Sequence, residues 1–157
     1  MSDPDDIRNW LRRSESVTTS GKLESGDPER LAELGVRHVI NLALDDHPEA
    51  LDGEAGKLEE LGIGYTHIPV PFDAPTAAHV AEFEAALKRC SRPVHVHCIA
   101  NYRVTAFFYL LDLDDGVSKE DARNRMTEIW DPITSSAPQA EPWKTLLNRG
   151  RQPSADR

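Results

Sequence analysis

The chain has 157 residues, a length that fits one domain with a sizeable buried core. Its formal net charge is −9 and its basic residues are not clustered, which excludes extended nucleic acid as an expected partner. Two cysteines are too few for a disulfide framework, and no apolar run approaches the roughly 20 residues of a membrane span. We therefore expect a cytoplasmic protein with no membrane partner, a single domain over residues 1–157 whose ordered core covers about 7–148 between flexible ends.

The first half of the chain predicts alternating strands and helices. Short β-branched or apolar runs predict strands in SVTTSGKL, VRHVINLAL and YTHIPV. Between the first two strands, GDPERLAELG predicts a helix with Asp27 as its N-cap and Gly35 just past its end. GEAGKLEELG predicts a second helix, which ends at Gly62.

The second half continues the alternation. Thr76 is placed to cap the helix AAHVAEFEAALKRC. PVHVHC predicts a fourth strand, and the run from Arg103 to Leu113 predicts the helix that follows it. SKEDARNRMTEIW predicts another helix, at whose start Ser118 and Asp121 are placed as a capping box. APQAEPWKTLLNR predicts a last helix.

Strands that are separated by helices pair in parallel, because only a parallel connection needs so long a crossover. The sequence therefore predicts an α/β fold, with a small, mostly parallel central sheet of four to five strands flanked by helices on both faces. Ligands bind such sheets beyond the carboxyl ends of the strands. Cys98 follows one of these ends, Asp45 and Asp46 follow another, and Asp73 follows a third.

The stretch HVHCIANYR joins the fourth strand to the next helix. A short loop that enters a helix N-terminus brings backbone N–H groups and the positive end of the helix dipole to one place, which makes it an anion cradle. A cysteine at the base of such a cradle, here Cys98, is favoured as a thiolate nucleophile. Arg103 in the first helical turn can grip two phosphate oxygens, and Asn101 tolerates the positive φ that a tight loop needs.

At these residues the chain resembles the cysteine-dependent protein tyrosine phosphatase superfamily, whose signature is a His-Cys pair at a strand end, a phosphate loop and an arginine that opens the next helix. The segments TTSGKL, LAELGVRHVINL, YTHIPVPFDAPT and VHVHCIANYR are similar, in this order, to a bacterial branch that is like the dual-specificity phosphatases. That branch includes the phosphatase-like domain of beta-lactamase hydrolase-like proteins. The resemblance covers residues 7–148.

The resemblance implies a protein tyrosine phosphatase-like fold and a role for each site residue. Cys98 would be the nucleophile, Arg103 the phosphate clamp and Asp73 the general acid. His97 and Thr105 would support the site. The implied phosphate-binding loop consists of Cys98, Ile99, Ala100, Asn101, Tyr102 and Arg103. The implied partner is a phosphorylated small molecule or phosphoprotein, hydrolysed without a cofactor or metal, and the loop would hold phosphate, sulfate or vanadate.

The loop also departs from the pattern of the active phosphatases. Only four residues separate Cys98 from Arg103, where those phosphatases have five, and the loop contains no glycine. Val104 stands where the family has a hydroxyl after the arginine, and Thr105 matches that hydroxyl only when positions are counted from the cysteine. Two alternatives therefore stay open beside the phosphatase: a non-catalytic phosphate-binding protein, and a rhodanese-like sulfurtransferase, whose cysteine loop also reaches an arginine at the fifth position.

Several neighbouring residues allow two interpretations. Asp45 and Asp46 compete with Asp73 for the role of acid. His95 and His97 alternate along a strand, a pattern that is weak for a metal site, and His97 is better explained as a brace for the loop. Tyr102 either stacks on an aromatic phosphate ester or packs over the loop. Trp10, Trp130 and Trp143 are expected to anchor the terminal segments.

Overall fold

The computed structural model describes residues 3–149, which contain one five-stranded sheet. The strands are β1 (Leu11–Arg12), β2 (Val17–Ser20), β3 (His38–Asn41), β4 (Gly64–His67) and β5 (Val94–His97). They are ordered β1-β2-β5-β3-β4, and all pairs are parallel except β1 with β2. The predicted, mostly parallel sheet is confirmed. The edge strand β1 was not predicted, because two residues are too short to show an alternation.

Six helices lie within the described residues. They are α1 (Asp27–Glu33), α2 (Glu54–Glu60), α3 (Ala77–Arg89), α4 (Tyr102–Asp114), α5 (Lys119–Thr127) and α6 (Glu141–Arg149). Each corresponds to a predicted helix. Within residues 3–149, none of them combines the length and the apolar character that a membrane span needs. The flexible ends that we expected fall largely on residues outside the described range.

Two of the three predicted N-caps are present. The Thr76 hydroxyl accepts from the amide of His79 at 3.2 Å, and the Ser118 hydroxyl accepts from the amide of Asp121 at 3.1 Å. The prediction that Asp27 caps α1 is wrong. Gly26 is the N-cap, and Asp27 is the first residue of α1. The Asp27 carboxylate accepts from the amide of Glu24 at 2.7 Å and so closes the turn that precedes the helix.

Helices cover both faces of the sheet, as predicted. On one face, α1 and α2 enclose a small core that includes Leu31, Val39 and Leu58. On the other face, α3 to α6 enclose a larger core that includes Phe83 and Trp143. Successive side chains of β5 therefore point into different cores. This sheet holds the carboxyl ends of β2, β3, β4 and β5 at one edge, where Cys98 lies.

Candidate active site at the carboxyl edge of the sheet

Cys98 lies directly after β5 and is fully buried. Its amide donates to the carbonyl oxygen of Ser20 at the end of β2, over 3.4 Å. The loop then turns through three residues into α4. The backbone N–H groups of residues 99–103 have no acceptor within the described part of the chain. Because unpaired buried amides are costly, such a set of free donors in a loop that follows a buried cysteine is typical of an anion site.

Two asparagines in the left-handed region shape this loop. Asn101 has φ 67°, which confirms the positive φ predicted for it. Its side-chain amide donates to the carbonyl oxygen of Asn9 at 2.8 Å and to the hydroxyl of Thr19 at 3.0 Å. Asn9, with φ 51°, donates in return to the carbonyl oxygen of Ala100 at 2.8 Å. The outer side of the loop is therefore fixed by the amino-terminal segment of the chain.

The loop also packs closely on Gly21, the residue that follows β2. The amide of Lys22 donates to the carbonyl oxygen of Ile99 at 2.8 Å, which pulls the loop against this glycine. A Cβ atom at position 21 would lie only 2.5 Å from the Ile99 oxygen and 3.1 Å from Cα of Ala100. Since both are backbone atoms, they cannot move aside as a flexible side chain would, and position 21 requires a glycine.

We expect Gly21→Ala to displace the loop and to lower the free energy of unfolding by about 1–3 kcal/mol, because overpacking against backbone is costly. Chemical denaturation measures this loss. The matched control is Gly56→Ala in α2, where an added Cβ meets nothing within 4 Å. That variant should gain up to about 1 kcal/mol, since alanine favours a helix over glycine. Equal stability of the two variants would contradict the close approach at Gly21.

Arg103 is buried in the first turn of α4, with 6% of its surface exposed. Its Nε donates to the carbonyl oxygen of Val70 at 2.8 Å, and its guanidinium carbon lies 5.2 Å from the centre of the Phe72 ring. No carboxylate among residues 3–149 forms an ion pair with it. A buried guanidinium without an anionic partner, beside free amides, is a site for an external anion.

The three candidate acids are all exposed, and they lie in two different loops. Asp73 occupies the turn 71–74, and its segment is held at two points: the Val70 carbonyl accepts from Arg103, and the Phe72 carbonyl accepts from Trp143 Nε1 at 2.8 Å. The structure therefore ties the Asp73 segment to Arg103. Asp45 and Asp46 lie in the loop that follows β3, which is joined to the same segment at Leu42, whose carbonyl oxygen accepts from the Val70 amide at 3.0 Å. No hydrogen bond among residues 3–149 joins that loop to Arg103 itself.

A cleft of about 630 Å³ opens beside the loop. One wall is formed by Tyr102 and Trp130, whose rings stack with centres 4.4 Å apart, while the Trp130 indole N–H donates to the Tyr102 carbonyl at 3.0 Å. Tyr102 thus packs on Trp130 and also lines the cleft. Arg103 is the only Lys or Arg of the lining. The lining residues are His47, Phe72, Ile99, Ala100, Tyr102, Arg103, Trp130, Asp131, Ser135, Ala137, Gln139 and Ala140.

Asp131 is a cleft residue that sequence reasoning missed. Burial works against its ionised form, but hydrogen bonds from Thr134 and Arg123 hold the pKa of Asp131 below its usual range. A general acid must be protonated before it reacts, so this carboxylate is a structural acceptor at neutral pH. No sequence motif separates it from the other 26 acidic residues of the 27 in the chain.

His97 and Glu54 form a buried pair next to Cys98. His97 Nε2 lies 2.5 Å from Glu54 Oε2, and His97 Nδ1 lies 3.2 Å from the carbonyl oxygen of Cys98. This is the contact that a bracing role for His97 requires. Glu54 opens α2, and no sequence pattern indicates its role, because its partner lies 43 positions further along the chain.

His95 and the second supporting residue proposed from the sequence, Thr105, have contacts of their own. The His95 ring is held between the hydroxyls of Thr18 and Ser20, each at 2.8 Å, and burial places the pKa of His95 well below its ordinary value. Among residues 3–149, no cluster of three or more potential ligands could hold a metal ion. The Thr105 hydroxyl donates to the carbonyl oxygen of Asn101 at 3.0 Å, so it stabilises the start of α4.

Comparison with solved structures supports the fold. A protein of family DUF442 from Shewanella putrefaciens CN-32, named as a candidate phosphatase, is 28% identical with a TM-score of 0.75, over 92% of this chain and 89% of that one. The core catalytic domain of the PP-IP phosphatase SIW14 from S. cerevisiae, in complex with citrate, is 13% identical with a TM-score of 0.71, over 96% and 93%. TpbA from P. aeruginosa, in complex with pTyr, is 18% identical with a TM-score of 0.68, over 100% and 96%.

The last two likenesses show the fold alone, because their identities are low. No curated protein matches the sequence. The family model of the beta-lactamase hydrolase-like protein, phosphatase-like domain, matches residues 9–112, more than half of the 157 residues. That match includes β1 to β5 and the whole phosphate loop. With its His-Cys pair, anion loop and helix-opening arginine, the chain therefore belongs to the phosphatase-like domain family of beta-lactamase hydrolase-like proteins, within the cysteine-dependent protein tyrosine phosphatase superfamily.

Proposed function

We propose that this protein is a cysteine-dependent phosphatase that hydrolyses phosphate monoesters. The observation that carries the proposal is the loop that follows Cys98: among residues 3–149, its five successive backbone N–H groups have no acceptor and its buried arginine has no carboxylate partner, and the loop leads into a helix N-terminus. Such an arrangement binds a tetrahedral anion and places its central atom next to the sulfur.

Backbone amides and the Arg103 guanidinium together bind the phosphoryl group. Its non-bridging oxygens accept from the free amides of residues 99–103, which belong to the end of the loop and the first turn of α4. The Nε of Arg103 is already used by Val70, so the terminal nitrogens of its guanidinium are the ones that face the anion. The Val70 contact thereby fixes the plane of the guanidinium before the substrate binds, which lowers the entropy lost in binding.

The reaction proceeds in two displacements. The Cys98 thiolate attacks phosphorus, the S–P bond forms, and the P–O bond to the leaving group breaks. The carboxylic acid of Asp73 gives its proton to the leaving oxygen. Water then attacks the phosphocysteine, its proton passes to the Asp73 carboxylate, and the S–P bond breaks to release phosphate and the thiolate.

Asp73 is the best placed of the three candidate acids. Its segment is attached to Arg103 through Val70 and to the aromatic wall through Phe72, so the acid belongs to the same rigid unit as the phosphate clamp. Its side chain forms no hydrogen bond within the described residues and is free to reach a leaving oxygen. The loop with Asp45 and Asp46 meets this unit through the hydrogen bond between Leu42 and Val70, and within the described residues it forms no hydrogen bond with Arg103 itself.

The cleft indicates the kind of leaving group. Its lining includes three aromatic side chains and several alanine or isoleucine residues, but only one cation, which the transferred phosphoryl group would occupy. A substrate with several phosphates would leave its other charges without cationic partners beside the carboxylate of Asp131. We therefore propose a monophosphate ester with an apolar or aromatic leaving group.

One observation favours sulfur transfer as a second candidate. The loop has four residues between Cys98 and Arg103, a spacing that it shares with rhodanese-like enzymes, in which the cysteine carries a persulfide. The same cradle would then hold the oxygens of thiosulfate. A protein that only binds phosphate through the cradle is the remaining alternative.

The pH dependence of aryl phosphate hydrolysis tests the proposal and the role of Asp73. We expect turnover by the wild-type protein with a kcat that falls as the pH rises, because deprotonation removes the general acid. Asp73→Asn should have a lower kcat, by about a hundredfold or more, and should lose that fall at high pH. The matched controls are Asp45→Asn and Asp46→Asn, which should keep both the rate and the pH profile.

Transfer of sulfur from thiosulfate to cyanide is measured on the same samples. Hydrolysis without sulfur transfer would support the proposed phosphatase activity. Sulfur transfer without hydrolysis would contradict it and would show that the protein is a sulfurtransferase. A protein with neither activity that still binds inorganic phosphate at the loop would be the non-catalytic binder, and the proposed function would be wrong.

A further inference from the structure

Both ring nitrogens of His97 face hydrogen-bond acceptors. Nδ1 lies 3.2 Å from the carbonyl oxygen of Cys98, and Nε2 lies 2.5 Å from a carboxylate oxygen of Glu54. A neutral imidazole carries only one N–H group, so it could donate to one of these oxygens and would direct a lone pair at the other. The doubly protonated imidazolium satisfies both contacts.

The partner of that ring, Glu54, is buried and hydrogen-bonded through both of its carboxylate oxygens. Its side chain is 6% exposed, and its two oxygens have separate roles: Oε1 accepts from the side-chain amide of Asn41 at 3.3 Å, and Oε2 faces His97. Asn41 is itself fixed, because its Oδ1 accepts from the amide of Ala43 at 2.9 Å. The carboxylate is therefore aimed at His97 by a hydrogen-bonded chain that starts in the backbone of the loop after β3.

Two further titratable groups lie near the pair. Burial, with the Glu54 carboxylate nearby, raises the pKa of Tyr65 to about 12. Burial lowers the pKa of His95, whose ring centre lies 6.2 Å from that of His97. The flanking strands place only uncharged side chains at the register of His97, Ser20 on β2 and Asn41 on β3. Glu54 is thus the anion that faces the ring.

We propose that Glu54 is a positioning residue that keeps His97 as an imidazolium beside Cys98 and, through it, favours the Cys98 thiolate. The inference rests on the proposed function only in needing a thiolate nucleophile. A buried imidazolium without a carboxylate partner is costly, so loss of the Glu54 charge would lead His97 to release its second proton. Cys98 would then lose the positive charge on the residue that precedes it.

The test is a pH titration of the thiolate ultraviolet absorbance of Cys98, in a Cys90→Ser background so that one cysteine remains. Glu54→Gln keeps the size and shape of the side chain, and we expect it to raise the midpoint by about one pH unit. At a pH well below the midpoint, this shift corresponds to a tenfold lower fraction of thiolate. The matched control is Glu59→Gln, which removes one negative charge from an exposed position of the same helix and should leave the midpoint unchanged.

A midpoint that stays in place or moves to lower pH in Glu54→Gln would overturn the proposal. Nitrogen-15 spectra of the wild-type protein give an independent result that does not depend on the folding of a variant. They should show both ring nitrogens of His97 protonated at neutral pH, and a single protonated nitrogen would also overturn it. Neither measurement uses turnover, so a failed phosphatase assay and a failed role for Glu54 are separate outcomes.

Discussion

Cys98→Ser is expected to lower the kcat for aryl phosphate hydrolysis by at least about a thousandfold. A serine hydroxyl stays protonated in a cradle that is built to bind an anion, and it is a far weaker nucleophile than a thiolate. The substitution changes little in volume, and Cys98 contributes only its backbone amide to the hydrogen bond with Ser20. The loop should therefore keep its shape, and steady-state kinetics will report the loss of the nucleophile.

The matched control is Cys90→Ser at the end of α3, where the thiol is half-buried and donates to the carbonyl oxygen of Leu87 at 3.7 Å. This variant should keep the wild-type rate. Calorimetry should show that Cys98→Ser still binds inorganic phosphate, because the amides and Arg103 remain. Hydrolysis that survives in Cys98→Ser would contradict a phosphocysteine intermediate and would indicate direct attack by water.

The parts of the fold that the sequence predicted are those decided by local interactions. The capping hydroxyls of Thr76 and Ser118 bind amides three residues away, so their role is visible within one turn. The positive φ of Asn101 follows from the tight turn that any loop between β5 and α4 must make. Asp27 shows the limit of this reasoning, since a carboxylate next to a helix start can bind the turn before the helix instead.

The parts that the sequence did not predict depend on contacts between distant segments. The residues around Gly21 are typical of a turn and do not mark it as special. A glycine is required at this position because the carbonyl oxygen of Ile99 approaches it too closely for a Cβ atom. In the sequence, Glu54 does not differ from the other acidic residues of a helix with mixed charge. Its role depends on His97 at the end of β5, which only the fold places next to it. For the same reason, three acids could be proposed from strand ends, and only the structure shows that the segment of Asp73 contacts Arg103 through Val70.

Trp143→Ala is expected to lower the free energy of unfolding by about 3–5 kcal/mol, the range for a large aromatic side chain removed from a core. Trp143 is fully buried in α6, and its ring lies 5.8 Å from that of Phe107 and 6.1 Å from that of Trp130. Chemical denaturation should show the loss as a lower midpoint. Thr145→Ala, at an exposed position of the same helix, should change the value by no more than about 0.5 kcal/mol.

A second substitution at this position separates packing from the hydrogen bond to the acid-bearing segment. Trp143→Phe keeps most of the apolar contact but removes the N–H group that donates to the Phe72 carbonyl at 2.8 Å. We expect a smaller loss of about 1–3 kcal/mol, because that carbonyl is left without its donor. Since Asp73 is the next residue, the freed segment should also hold the proposed acid less firmly, and kcat should fall while KM changes little. An unchanged kcat in Trp143→Phe would show that the contacts of Val70 and Phe72 with Arg103 alone are sufficient to position Asp73.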